Sequence, residues 1–151
     1  MKLILKFLYQ VFRLILQLLK PMTHGVRVLL VKNGKVLLVQ HIYEDEWYLP
    51  GGLVERGETL EEAVRREAKE EVGAVIADLR LFGVYTNFTQ GWYDYISVFI
   101  SEDFLLEGDS DHEIEHLSFF DLDNLPEYTS LGSKNRVRDY LTGEQKRFGN
   151  W

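Results

Sequence analysis

The stretch from Pro50 to Ala74 constrains this chain more than any other. Thr59 followed three residues later by Glu62 is a capping-box pattern, so a helix is predicted to begin at Thr59 or Leu60. Leu60, Ala63, Val64, Ala68 and Val72 recur at helical spacing and define an inward apolar stripe. Gly73 reads as the helix stop. Ahead of the helix, Pro50-Gly51-Gly52 is a rigid turn that lets backbone come close to a metal or a phosphate, and Gly57 permits a second turn.

Glu67, Glu70 and Glu71 fall at i, i+3 and i+4, which places three carboxylates on another side of the same helix. Like charges at that spacing repel by roughly a few tenths of a kcal/mol per pair on an open helix, and by more when buried. A divalent cation relieves the repulsion, and oxygen-only ligands suit Mg2+, or Mn2+ in its place. Taken alone, such a stripe also reads as a solvated acidic face. The loop before it and the stop after it favour the metal.

The run Gly52, Glu58, Arg66-Glu67, Glu70-Glu71 and Gly73 resembles the signature of the Nudix hydrolases at all seven fixed positions. With each residue type at roughly one position in 15, seven matches at a given start arise by chance about once in 10⁸. The two aliphatic positions of the signature hold the smaller Ala68 and Ala74. The resemblance implies that Glu67, Glu70 and Glu71 bind metal together with a backbone carbonyl near Gly51. It implies that a carboxylate of this set, or Glu113 ahead of the last strand, acts as the base, with Glu115 as the second match for that role; a solvated acidic loop is the other reading of Glu113 and Glu115. Glu58 and Arg66 match the family's structural pair, which ties the loop to the helix. A plain surface salt bridge is the other reading of that pair.

Residues 2–19 read as an amphipathic helix, because Lys2, Lys6, Gln10, Arg13, Gln17 and Lys20 recur every three or four positions in an otherwise apolar run. The first twenty residues carry +4 with no acid. The remainder carries thirteen basic against twenty-four acidic residues, or −11. This split gives the segment a separate job: a membrane surface, packing on its own domain, or packing on a second copy. A transmembrane span is disfavoured by Lys6 and Arg13, and a cleaved signal by charges within the apolar run. Pro21 is expected to end the helix. The chain thus divides into an N-terminal helix, 1–20, and a domain over 21–151.

A net charge of −7 argues against generic nucleic-acid binding through a basic surface. The absence of cysteine removes disulfides, a thiol nucleophile and a Cys-ligated zinc site, and fits a reducing cytoplasm, with the inner membrane face as a peripheral site. Strands are predicted at 25–31 and 36–41 around Asn33-Gly34, at 47–49, at 75–87, at 92–101 after a turn at Thr89-Gln90-Gly91, and at about 114–120 after a loop over 102–115. A closing helix is expected over 130–141, capped by Ser130 or Ser133. Mixed strands with these helices give an α/β class. The resemblance refines it to the Nudix α/β/α sandwich with a mixed sheet, preceded by the amphipathic helix.

Outside the box, Arg27 on the first strand is a phosphate contact or a strand-edge charge. His41 and Tyr43 border the substrate or serve structure. Trp92, Tyr93 and Tyr95 stack on a base or fill the core. The function implied is Mg2+-dependent hydrolysis of a nucleoside diphosphate linked to another group. A nucleotide-sensing module without catalysis is the alternative. Family members are often dimers, so a homodimer is also an expectation. The proline some fifteen residues past the box that marks many ADP-ribose enzymes is absent, since the prolines are Pro21, Pro50 and Pro126.

Overall fold

The computed structural model describes residues 2–19, 22–89, 92–108, 110–144 and 147–151. Pro21 and the Gln90-Gly91 part of the expected turn lie outside the described residues.

Asn33 and Gly34 take positive φ of 53° and 73°, the pairing that a two-residue hairpin turn requires. They join β1 (Met22–Lys32) to β2 (Lys35–His41). The two strands pair only next to the turn, at Val31↔Val36 and Lys32↔Lys35, and then part. β1 instead runs parallel to β6 (Trp92–Ser101) from Met22 to Leu30, while β2 pairs along its length with β8 (Ile114–Asp121). The wedge between β1 and β2 is filled by the glycine loop. β3 (Trp47–Tyr48) pairs with β2, and the chain then crosses over to β1. There Val28 N–H donates to the Pro50 carbonyl at 2.9 Å, Val26 N–H to that of Gly52 at 2.8 Å, and Val54 N–H to that of His24 at 2.9 Å.

Beyond β6 the sheet continues through β5 (Arg80–Thr89) to β9 (Phe148–Asn150). α2 (Leu60–Val72) covers one face. Its Ala63, Val64, Ala68 and Val72 pack with Val26, Val28, Leu37 and Val39, as the apolar stripe predicts. The opposite face buries Leu29, Leu38, Ile96 and Val98 under Val137 of α3 (Leu131–Thr142). This is the expected α/β/α sandwich. α1 (Lys2–Leu19) precedes it.

Two expectations need correction, and one element was not foreseen. The single strand over 75–87 is two: β4 (Ala74–Ile76) and β5, broken at Ala77–Leu79, where Ala77 and Asp78 N–H both donate to the Asp103 carbonyl. The loop over 102–115 contains β7 (Phe104–Leu106), which pairs with β4 in a separate two-stranded sheet. β9 was not expected, and it pairs parallel to β5.

Thr59 caps α2 in both senses of the capping box. Its hydroxyl accepts from Glu62 N–H at 3.2 Å, and its own N–H donates to the Glu62 carboxylate at 2.8 Å. Replacing Thr59 by Ala should therefore cost about 1 kcal/mol. Urea denaturation checks this: the midpoint should fall with an unchanged slope.

Candidate active site

The helix stop is local. Gly73 takes φ 65°, and its N–H donates to the Lys69 carbonyl at 3.0 Å. That fixes the length of α2 and with it the placement of its carboxylates. They share one side of α2, and each meets a different surrounding.

Glu71 is buried. Its Oε2 accepts from Gly51 N–H at 2.8 Å, and its Oε1 lies 2.9 Å from His41 Nε2. One carboxylate thus joins α2, the glycine loop and the end of β2. Gly51 has φ 139°, and a Cβ there would run into the Val26 carbonyl, so the position demands glycine. The Pro50 and Gly52 carbonyls accept from β1, and that of Gly51 accepts from neither of those amides. Gly52 lies against Glu67: a Cβ would sit 2.5 Å from Glu67 Oε1.

Glu67 is half-buried. Burial, then the neighbouring Glu71 charge, pushes its carboxyl above the usual carboxylate range, against the pull of Arg66 and Arg27. Glu70 is exposed. Arg66 Nη1 reaches Glu67 Oε1 at 2.8 Å and Glu70 Oε2 at 3.1 Å. The same guanidinium grips Glu58 through Nε at 2.7 Å and Nη2 at 3.0 Å, and donates to the Leu53 carbonyl at 3.1 Å. The expected tie of loop to helix is therefore formed, and in richer form than one salt bridge. Among the described residues, no three His, Asp or Glu side chains converge on a point as metal ligands would. The reason lies in these contacts: Arg66 holds two of the carboxylates, and Glu71 is turned toward Gly51 and His41.

His41 is buried and stacks on Tyr43, with ring centroids 5.1 Å apart. Tyr43 in turn stacks on Tyr9 of α1 at 4.7 Å. Its hydroxyl stands 3.5 Å from Glu113 Oε2, the outer limit of a hydrogen bond. Burial, then the Glu113 and Glu71 charges, pushes the Tyr43 hydroxyl well above the ordinary phenol range, so it stays protonated. Glu113 is exposed, and its carbonyl accepts from Ile42 N–H at 3.0 Å, which sets it beside the end of β2. Glu115 is exposed on β8.

Arg27 leaves β1 between the two residues that hold the loop. Its charge favours the ionised forms of Glu67, Asp94 and Tyr9, and its Nη1 is buried with no hydrogen-bond partner among the described residues. Tyr93 is exposed and meets Phe88 edge-on at 4.4 Å across the β5–β6 pair, while Tyr95 is half-buried. The Trp92 side chain lies outside the described residues.

Sequence reasoning missed Asp94 and Glu44. Asp94 accepts from the Thr23 hydroxyl at 2.8 Å, and burial raises its carboxyl above the usual range. An acid inside the aromatic strand Trp92-Tyr-Asp-Tyr95 was the available signal. Glu44 takes a 2.5 Å hydrogen bond from the Tyr9 hydroxyl, and no sequence pattern announces that contact.

A NUDIX domain model matches residues 22–140. The ADP-ribose pyrophosphatase of Methanocaldococcus jannaschii is 36% identical over 121 residues, 73% of this chain and 68% of that protein. The NAD-capped RNA hydrolase NudC of Chromobacterium violaceum is 34% identical over 119 residues, 73% of this chain but 42% of that protein. The crystal structure of a MutT NUDIX hydrolase from Burkholderia pseudomallei matches with TM-score 0.72 at 26% identity, covering 78% of this chain and 97% of that one. The chain belongs to the Nudix hydrolase family. Relatives named for hydrolysis place it with the enzymes of that family rather than with binding modules.

Glu58 offers a pH test of the tie. The Arg66 hydrogen bond, then the Glu55 N–H, lowers its carboxyl from 4.5 to about 2. A carboxyl depressed on folding stabilises the protein above its unfolded value and loses that contribution as pH falls through the folded value. Melting temperature should therefore drop between about pH 4.5 and 2 in the wild type. In Glu58→Gln it should start lower at neutral pH and fall less over that window. Parallel curves would show that the pair is not coupled to folding.

Proposed function

We propose that this Nudix hydrolase cleaves the pyrophosphate bond of a nucleoside diphosphate linked to another group, in a Mg2+-dependent reaction. One observation carries the reading. The acidic side of α2 is seated against the glycine loop, with Glu71 on Gly51 N–H and Glu67 against Gly52. Negative charge is thus held, partly buried, against the glycine loop.

The residues fit a hard divalent cation by their chemistry. Glu67, Glu70 and Glu71 offer oxygen donors only, together with the Gly51 carbonyl, and a cation beside them would offset both the burial of the Glu67 carboxylate, which is the main cause of its raised carboxyl, and the neighbouring Glu71 charge. When bound, Mg2+ or Mn2+ would supply positive charge against the diphosphate oxygens and acidify water. The chain's own part is distinct. The buried, unpartnered Nη1 of Arg27 is a donor for a phosphate oxygen. A carboxylate, from α2 or Glu113, takes the proton of the attacking water. The water oxygen bonds to one phosphorus, the bridging P–O bond breaks, and the bridging oxygen leaves with the other phosphate. Tyr43, protonated beside Glu113, orients that carboxylate. His41 holds Glu71 in place. We assign base stacking to the exposed Tyr93 ring, with Trp92 as the neighbouring candidate by sequence. The cysteine-free, acidic chain fits work in the cytoplasm. A homodimer, which the family admits, is the further expectation for its assembly.

ADP-ribose, the substrate in the name of the archaeal relative, is one member of this class. The missing proline past the box leaves the choice among the class to experiment. A product-resolved screen with Mg2+ should cover nucleoside triphosphates, ADP-ribose, sugar nucleotides, dinucleoside polyphosphates and capped RNA. The expected result is one substrate cleaved by the wild type, suppressed by chelation, and spared by Glu71→Gln. Arg27→Ala should raise KM for that substrate about tenfold, equivalent to losing one charged hydrogen bond of about 1.5 kcal/mol. Tight binding without turnover of any substrate would defeat the hydrolase reading. Independently of activity, Mg2+ should raise the melting temperature of the wild type but not of Glu67→Gln. Equal shifts would remove Glu67 from the metal site.

A further inference from the structure

α1 sits on the domain the wrong way round for an ordinary surface helix. An amphipathic helix normally buries its apolar face. Here the edge bearing Leu5, Lys6, Tyr9 and Arg13 is half-buried toward the domain. Tyr9 stacks on Tyr43 and donates to Glu44, and Lys6 pairs with Asp45 at 3.4 Å. Ile4, Phe7, Val11, Leu14 and Ile15, which share one side by helical spacing, face outward, with Ile4 and Phe7 64% and 66% exposed. A contiguous apolar stripe of this kind marks an interaction surface.

Charge selects the occupant. α1 contributes Lys2, Lys6 and Arg13 and no acid, while the chain beyond residue 20 carries thirteen basic against twenty-four acidic residues. Pairing two copies through this face would bring two cationic segments together. An anionic bilayer takes up the apolar side and attracts the net positive helix as a whole, with the polar edge, including Lys6 on Asp45, at headgroup level and the acidic domain above it. Among the described residues no helix is long and apolar enough to cross a membrane, which is consistent with a helix that lies on one.

The edge of α1 also closes a cleft of about 360 Å³, lined by Leu5, Leu8, Tyr9 and Phe12 on one side and by Tyr43 and Glu113 on the other. Its wall is therefore shared with the Tyr43–His41–Glu71 chain of contacts. We propose that α1 lies in the interface of an anionic bilayer with its apolar side down, and that this cleft receives the apolar part of a diphosphate drawn from that bilayer. The second clause rests on the hydrolase reading above, and the first does not.

The test pairs co-sedimentation with turnover. Wild type and Phe7→Asp/Leu14→Asp are mixed with phosphatidylcholine vesicles, with and without phosphatidylglycerol. They are then assayed with Mg2+ on vesicle-borne CDP-diacylglycerol, whose hydrolysis gives CMP and phosphatidate, and on CDP-glycerol in solution. The wild type should pellet with the phosphatidylglycerol vesicles and less with phosphatidylcholine alone. The double variant should stay in the supernatant at an unchanged melting temperature. It should lose more than about tenfold turnover of CDP-diacylglycerol, as expected when membrane partition is removed, and leave any turnover of CDP-glycerol as it was. A wild type that ignores both vesicles overturns the docking, as does a wild-type dimer in sedimentation velocity that the double variant disperses. Equal turnover of CDP-diacylglycerol by both proteins overturns the substrate clause. Turnover of neither probe by a protein that pellets overturns that clause too, whereas the hydrolase reading fails only if the soluble screen is silent.

Discussion

The structure depends on the Glu71 carboxylate and its two partners. A buried carboxylate is tolerated only when its oxygens are satisfied. Here one oxygen is taken by Gly51 N–H and the other by His41 Nε2. Those partners come from a loop and from a strand, so the contact fixes the orientation of α2 against both. The Arg66 guanidinium completes the arrangement from the outside by joining Glu58 and Leu53 of the loop to Glu67 and Glu70 of the helix. The charges with functional promise are thus also the charges that assemble the site. Removing one of them changes geometry as well as chemistry, which is why a stability readout beside activity is needed to separate the two.

The parting of β1 and β2 explains why the site lies where it does. A hairpin paired along its full length would leave no edge for the glycine loop. Because pairing stops after Val31↔Val36, β1 offers free N–H groups at Val26 and Val28, and the loop carbonyls take them. The same parting leaves Arg27 between two loop-bound residues, close enough to influence Glu67. Backbone hydrogen bonds that would have been sheet are spent on fixing a turn beside three carboxylates.

Local features were legible in the sequence, and long-range ones were not. The cap at Thr59, the stop at Gly73, the turn at Asn33-Gly34 and the apolar stripe of α2 each depend on residues a few positions apart, and each formed as read. β7 formed because Phe104-Leu-Leu106 found β4 some thirty residues upstream, a pairing that no local pattern encodes. β9 needed β5 in the same way. The break after Ile76 was hidden in a run that reads as continuous strand, although Asp78 marked it. In the candidate site, the motif named Glu67, Glu70 and Glu71 but not their surroundings. His41 read as a lone histidine, and only the fold shows that it is pinned to Glu71. Arg27 read as well as an edge charge, and only burial shows its unpartnered nitrogen.

α1 follows from the same physics with the opposite result. Its wide apolar arc was plain from the spacing of Lys2, Lys6, Gln10 and Arg13, and the remaining question was which surface would cover it. The domain takes only the polar edge, because Glu44, Asp45 and Tyr43 offer acids and a ring to Lys6 and Tyr9 rather than an apolar groove. The half-buried Tyr43, stacked between Tyr9 of α1 and His41, then links the placement of the helix to the buried carboxylate of α2. A displacement of α1 would uncover Tyr43 and alter the environment of Glu113, whose charge already raises the Tyr43 hydroxyl. The segment outside the family signature is therefore in contact, through Tyr43 and His41, with the carboxylate that seats α2 against the glycine loop.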